Sequence, residues 1–308
     1  MQGGEALDNS RGNLIKAYGN LFIGIIIWAL LPLVSKTAMS TLGPITYAFL
    51  RGITGLIVIL PFAVKAGFTL KKAFTKKAFF YGMIAFLFNT VAFQIGNNMC
   101  SANVTSITQA TMPIFFLIGG VAFMSEKLTF WKGIGAALAT AGIFITCLGG
   151  TLIDENTSVL GIIIATIAPF TWTIYSIYLK KYDAETDSRE IVAYVLFNGC
   201  LLTLPFVAGE MIFVTGIPTF DTTTLLTIAF GGPLALGLAN FSWAYGVARI
   251  DASVSGLLFN TSPILGVIAA AISGEIISGL QVTGCIIVVA GILAGVKDEK
   301  FFRRKKTE

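Results

Sequence analysis

Histidine is absent from all 308 residues, which removes the commonest general base, proton shuttle and metal ligand together. Membrane enzymes built on histidine clusters are excluded, no buried acid–nucleophile constellation takes their place, and neither a metal nor a cofactor is expected. Charge is also scarce: 12% of residues are Asp, Glu, Lys or Arg and 55% are hydrophobic, whereas a soluble domain is about a quarter charged. Cysteine is limited to Cys100, Cys147, Cys200 and Cys285. They lack paired spacing and the last three lie in apolar runs, so a disulfide framework has no support.

What is present is apolar sequence in long pieces. Residues 78–125, 133–153, 156–179, 222–248, 252–274 and 276–296 hold no charge at all, and each has room for one or two spans of about 20 residues, the length a bilayer core requires. The lipid bilayer is therefore the expected solvent. Spans are placed near 17–38, 44–64, 78–99, 103–124, 130–149, 158–179, 190–208, 224–247, 252–273 and 279–296. The first run is too long for the apolar core of a signal peptide and lacks a small-residue cleavage site, so it reads as a retained helix.

The net charge of +5 does not point to nucleic acid, because the Lys and Arg residues sit in short segments between apolar runs. One set of alternate connections carries Arg11 and Lys16; Lys65, Lys71, Lys72, Lys76 and Lys77; Lys127 and Lys132; Lys180, Lys181 and Arg189; Arg249; and the tail from Lys297 to Lys306. The other set carries Lys36 beside Asp154, Glu155, Glu210, Asp221 and Glu275. Cytoplasmic loops are the basic ones, so both termini are expected in the cytoplasm, the helix count is even, and the chain is expected to be a multi-pass protein of the inner (plasma) membrane. The basic tail, 297–308, reads as a stop signal at the inner surface.

The chain repeats itself. Gly55, Leu60, Pro61 and Phe62 recur 144 residues later as Gly199, Leu204, Pro205 and Phe206, and Trp28 and Lys36 recur as Trp172 and Lys180. At a spacing of 150, Ala102, Val104, Pro113, Ile114 and Ile118 recur as Ala252, Val254, Pro263, Ile264 and Ile268. One residue shorter, Glu126, Gly135 and Ala141-Gly142-Ile143 meet Glu275, Gly284 and Ala290-Gly291-Ile292. A second register, Gly24-Ile25-Ile26-Ile27 on Gly161-Ile162-Ile163-Ile164, needs a larger loop change and is less economical. Residues 17–149 and 158–296 thus form two five-helix repeats. An odd helix number makes the second copy enter the membrane from the opposite side, a plan by which secondary transporters expose a midplane site to each side in turn.

Several of these residues resemble the EamA family of the drug/metabolite transporter superfamily: Trp28 before Ser35-Lys36, Pro44 with Arg51, Pro113 leading to Ser125-Glu126-Lys127-Leu128, Gly135 with Gly142, and the second copy ending Pro263…Gly274-Glu275…Gly284…Gly291. The resemblance runs from about residue 18 to 296. It implies an all-α integral membrane protein of ten helices with a central cavity, often an exporter of amino acids or related metabolites; separately, the chain is expected to act as a monomer or homodimer. The copies differ where Val195 stands in place of Arg51.

Arg51 is the one charge well inside an expected span, and a lone intramembrane charge is costly enough that it should face a cavity or a partner. Its planar donor fork suits a carboxylate or phosphate; capping of backbone carbonyls is the structural alternative. No Asp, Glu or His lies at similar depth, which disfavours the proton-for-cation exchange of the small multidrug-resistance carriers. Facilitated diffusion or exchange fits better, although Glu126, Glu210 and Glu275 at helix ends could titrate. Asn89, Gln94, Gln109, Asn240 and Asn260 lie at depths suited to a polar lining, or to helix-to-helix hydrogen bonds. Trp28, Trp172, Tyr175 and Trp243 can stack on a substrate. Tyr47 and Tyr245, nearer the interfaces, fit the aromatic belt better than substrate stacking. Pro113 and Pro263 read as helix pivots, and the glycines of the fifth and tenth spans as a packing face within a half or between protomers. The expected function is an alternating-access carrier of small zwitterionic or anionic solutes. A nucleotide-sugar or sugar-phosphate carrier, which needs further cavity bases, and a non-transporting receptor or assembly partner are the alternatives.

Overall fold

The computed structural model describes residues 2–38, 42–100, 102–149, 158–272 and 277–297. Expectations that fall on Asp154, Glu155, Glu275 and the tail beyond 297 lie outside them. Among the described residues all regular structure is helical: α1 (Gln2–Ala38), α2 (Pro44–Lys65), α3 (Lys76–Asn98), α4 (Ala102–Ala110 continued by Met112–Met124), α5 (Phe130–Leu148), α6 (Val159–Tyr182), α7 (Ser188–Thr215), α8 (Thr222–Val247), α9 (Ala252–Phe259 continued by Thr261–Ile272) and α10 (Gly279–Gly295). Nine of these are long and apolar enough to cross a membrane, and α10 is an apolar helix of 17 residues.

Local sequence explains where most of them begin. Thr75, Thr129, Ser158, Asp187 and Asp221 each accept a backbone N–H two or three residues ahead with a side-chain oxygen, at 2.7–3.3 Å. Ser278 and Gln281 form a reciprocal capping box, 3.2 and 2.8 Å. Each such cap stabilises a helix start by about 1 kcal/mol. Gly43 and Pro44 open α2 with no cap of their own.

Two interruptions lie close to the prolines read as pivots. α4 breaks at Thr111, two residues before Pro113, and α9 at Asn260, three before Pro263. Proline cannot supply the N–H that would close the preceding turn, and Thr111 instead donates its N–H and its hydroxyl to Thr108 O at 3.3 and 2.6 Å.

Three wide π turns have no counterpart in the sequence reading: Met83–Val91 in α3, Met211–Thr215 in α7 and Phe230–Leu238 in α8. In the first two a threonine hydroxyl reaches the carbonyl five residues back, Thr90 to Ala85 O at 3.2 Å and Thr215 to Glu210 O at 3.4 Å. In the third, Pro233 supplies no N–H. The turn at Met211 carries α7 well past the expected end near 208, because the apolar run Met211-Ile212-Phe213-Val214 continues beyond Glu210. Glu210, read as a loop acid, is therefore a helix residue.

The packing joins helices across the chain's midpoint. α1 lies on α8, α3 on α6, α2 on α7, α4 on α9 and α5 on α10. The α5–α10 contact is the most extensive and rests on glycine: a Cβ at Gly135 would stand 2.6 Å from Gly295 Cα, and one at Gly142 2.7 Å from Val288 N. The glycine face is thus used between the two halves of one chain. Small residues permit this backbone approach, which drives helix association in lipid.

Candidate functional site

α1, α6 and α8 each bring a tryptophan to one point. Trp28 stands edge-on to Trp172 at 5.4 Å between ring centroids and 5.7 Å from Trp243, and Trp172 is 5.9 Å from Trp243. Phe259 of α9 closes on Trp28 and Trp243 at 5.9 and 5.8 Å, Phe116 of α4 on Trp243 at 6.0 Å, and Tyr175 on Trp172 at 4.9 Å. The sequence-predicted aromatics therefore meet, in geometries favoured by the ring quadrupoles. Phe116 and Phe259, one apolar residue among many in their helices, gave no sequence signal. The three indole N–H groups are treated differently. Trp243 donates to Ser176 Oγ at 3.0 Å and Trp28 to Ala235 O at 2.9 Å, whereas Trp172 Nε1 is buried with no partner.

Arg51 lies on the buried face of α2 with Tyr47, Ala48, Gly52 and Gly55, and only 1% of it is exposed. Its Nε and Nη1 have no hydrogen-bond partner and no described ion pair includes it. The Tyr47 ring faces it, 5.2 Å from the guanidinium carbon. Tyr47 is fully buried, so it is not a belt residue: the arginine it faces has drawn it inward. The π turn of α8 makes room for the cation, since a Cβ at Gly231 would be 2.5 Å from Arg51 Nε and one at Gly232 2.6 Å from Arg51 O. The same turn carries Ala235, the acceptor for Trp28, which links the arginine to the aromatic cluster.

The predicted polar residues divide. Asn89 donates to Ala168 O at 2.8 Å and ties α3 to α6, the helix-to-helix role. Gln94 Oε1 and Asn260 Nδ2 are buried without partners, Asn240 is buried on α8, and Gln109 is half-buried on α4. Tyr245 carries the Arg249 guanidinium on its ring at 3.9 Å.

Charged ties hold the ends of the bundle. At the lysine-rich end, Asp183 pairs with Lys77 and accepts from Tyr81 Oη at 2.5 Å, while Glu190 pairs with Lys72 at 2.9 Å and accepts from Tyr194. Glu126 accepts the N–H of Ala252 at 2.6 Å and the Ser253 hydroxyl at 2.5 Å, so it caps α9 from the connection between α4 and α5; Lys132 pairs with it at 3.4 Å and with Asp251 at 2.9 Å. At the opposite end Glu210 of α7 accepts the N–H groups of Ile45 and Thr46 at 3.1 and 2.7 Å and supplies the cap that α2 lacks. A carboxylate at a helix N-terminus is favoured by both the free N–H groups and the dipole. Of these acids, Asp183 and Glu190 were invisible as a site in the sequence, because their lysine partners lie more than a hundred residues away. Glu210→Ala is expected to lower stability by about 1–3 kcal/mol in thermal unfolding, and Glu210→Gln, which keeps one acceptor, by less. Equal losses for both would show that the cap is not what Glu210 contributes.

A family model described as the EamA-like transporter family matches residues 15–148 and again 159–295. The chain belongs to the EamA-like transporter family. It is a multi-pass membrane transporter and not an enzyme. Among its relatives, the Bacillus subtilis "Uncharacterized transporter YdfC" is 26% identical over 80% of this chain and 79% of its own. A Salmonella typhimurium "Probable amino-acid metabolite efflux pump" is 23% identical over 88% and 92%. A Streptantibioticus cattleyicolor "Probable terminal-alkyne amino-acid exporter" is 24% identical over 62% and 63%. One solved crystal structure shares the fold of this EamA-like chain with a TM-score of 0.75, at 18% identity over 90% of this chain and 95% of that one.

Proposed function

We propose that this EamA-like protein is an alternating-access exporter or exchanger of amino acids or related zwitterionic or anionic metabolites, with Arg51 as the anchor for the solute's acidic group. Ten spans form two inverted five-helix repeats, 17–149 and 158–296, with both termini in the cytoplasm and the chain in the plasma membrane. The pairing of helices supports the repeat, since exchanging the halves turns α1–α8 into α6–α3 and leaves α2–α7, α4–α9 and α5–α10 as they are. So does the recurrence of a nine-residue π turn in α3 and α8, 147 residues apart.

The observation that carries the solute class is the buried guanidinium with two unspent donors. A buried cation without an acid is costly, and a ligand carboxylate relieves it. The aromatic cluster beyond the shared π turn offers apolar surface for the rest of the solute. A sugar-phosphate carrier would need a second cavity base, and the other buried cation among the described residues, Lys132, is engaged by Glu126 and Asp251 at a helix end.

The test is counterflow in liposomes with purified protein, using leucine and its decarboxylated amine. Leucine should exchange, the amine should not, and Arg51→Ala should abolish exchange of leucine while the protein stays monodisperse. Normal leucine exchange by Arg51→Ala would discard the anchor. Absence of counterflow for amino acids, amines, nucleosides and sugar phosphates alike would favour the receptor reading.

A further inference from the structure

We propose that Trp28 and Trp172 are exchangeable latches of the transport cycle, and that Thr171 decides which of them is engaged at rest. The proposal rests on the alternating-access reading. The two tryptophans occupy the same place in each copy of the repeat, and their helices pack on helices containing a nine-residue π turn, α1 on α8 and α6 on α3. Widened turns expose main-chain carbonyls that side chains can bind. Ala235 O in α8 holds the Trp28 N–H at 2.9 Å.

The matching carbonyl in α3, at the spacing of the two π turns, is Phe88 O. It is approached by Thr171 Oγ1 at 3.1 Å, so the Trp172 N–H next to it in sequence stays unpartnered in a residue only 5% exposed. In α1 the residue before the tryptophan is Ile27, which has no hydroxyl to compete. Each copy thus has one latch and one catch, and one residue difference leaves a single latch closed.

Thr171 can release its catch cheaply. Its one hydroxyl proton has two other acceptors in its own helix, Ile167 O at 2.9 Å and Ala168 O at 3.1 Å. Surrendering Phe88 O to Trp172 therefore costs the threonine no hydrogen bond, and the unpaired indole N–H passes from Trp172 to Trp28 as the latches exchange, so each state carries one such group. The edge contact of the two indoles at 5.4 Å couples their movements. In the opposite state of the cycle Trp172 engages Phe88 O and Trp28 leaves Ala235 O.

Only four tryptophans are present, so the indole N–H region of a 15N–1H spectrum in lipid nanodiscs holds four signals, assignable by single Trp→Phe variants. In the wild-type protein Trp28 should resist deuterium exchange and Trp172 should lie at the position of an unbonded indole. Thr171→Val should move Trp172 to the bonded position and reduce protection of Trp28 at least tenfold; Trp28→Phe, which frees α8, should move Trp172 in the same direction. Unchanged Trp172 signals in whichever of these variants folds would overturn the proposal. Counterflow of the wild-type protein is measured separately. Transport without any response of the indoles sinks the latch alone, and a response of the indoles without transport sinks the carrier reading while supporting the paired latches.

Discussion

Arg51→Met is expected to make the protein more stable and at the same time inactive. Methionine fills nearly the same length of side chain, keeps the contact with Tyr47 and Gly231, and removes a charge that no described acid offsets. Each buried donor left unpaired costs about 1–3 kcal/mol, and replacing buried charge by apolar volume is often stabilising. A rise in the thermal midpoint of a few degrees should result. Transport of a carboxylate solute should fall about 100-fold, equivalent to two charge-assisted hydrogen bonds at about 1.5 kcal/mol each. The two readings move in opposite directions, which separates this role from a structural one. If Arg51 were capping carbonyls, Arg51→Met would unfold more readily and its residual transport would follow the amount of folded protein.

The largest loss of stability should come from Gly142→Leu. The new Cβ would meet Val288 N at 2.7 Å and Gly284 O at 2.8 Å, and backbone atoms cannot turn aside as a side chain can. α5 and α10 must separate along their whole seam, at a cost of about 3 kcal/mol or more. Size-exclusion chromatography should show little monodisperse protein. Gly133→Leu is the matched control: it lies on the same helix with nothing within 4 Å of its Cβ direction and should behave as wild type. Equal behaviour of the two variants would mean that the seam does not hold the halves together.

Much of the fold was legible because lipid simplifies the code. Charge-free runs located most of the helices to within a few residues, although α1 begins at Gln2 and not near 17 and α7 runs on to Thr215, and Trp28, Trp172 and Trp243 do meet. The failures share one cause. Tyr47 was assigned to the interface by depth alone, but depth does not say which way a side chain faces, and Arg51 turned it inward. Glu210 was assigned to a connection because the span was ended near 208, whereas α7 runs through it and the carboxylate meets the uncapped start of α2. The π turns leave no mark in hydropathy, since they alter hydrogen-bond spacing and not residue type; only Pro233, Thr90 and Thr215 hint at them afterwards. The glycine face was recognised and its partner was not, because a stripe of small residues states that something comes close without naming what.

That stripe also imposes an order on biogenesis. α5 is complete at Leu148 and its partner begins at Gly279, so a ribosome adding about 5–20 residues each second leaves the first half waiting on the order of ten seconds for its counterpart. During that interval the nascent chain presents an uncovered glycine seam to the membrane, and any neighbouring copy at the same stage presents the identical surface. The arrival of α10 ends this exposure and seals the first repeat against the second.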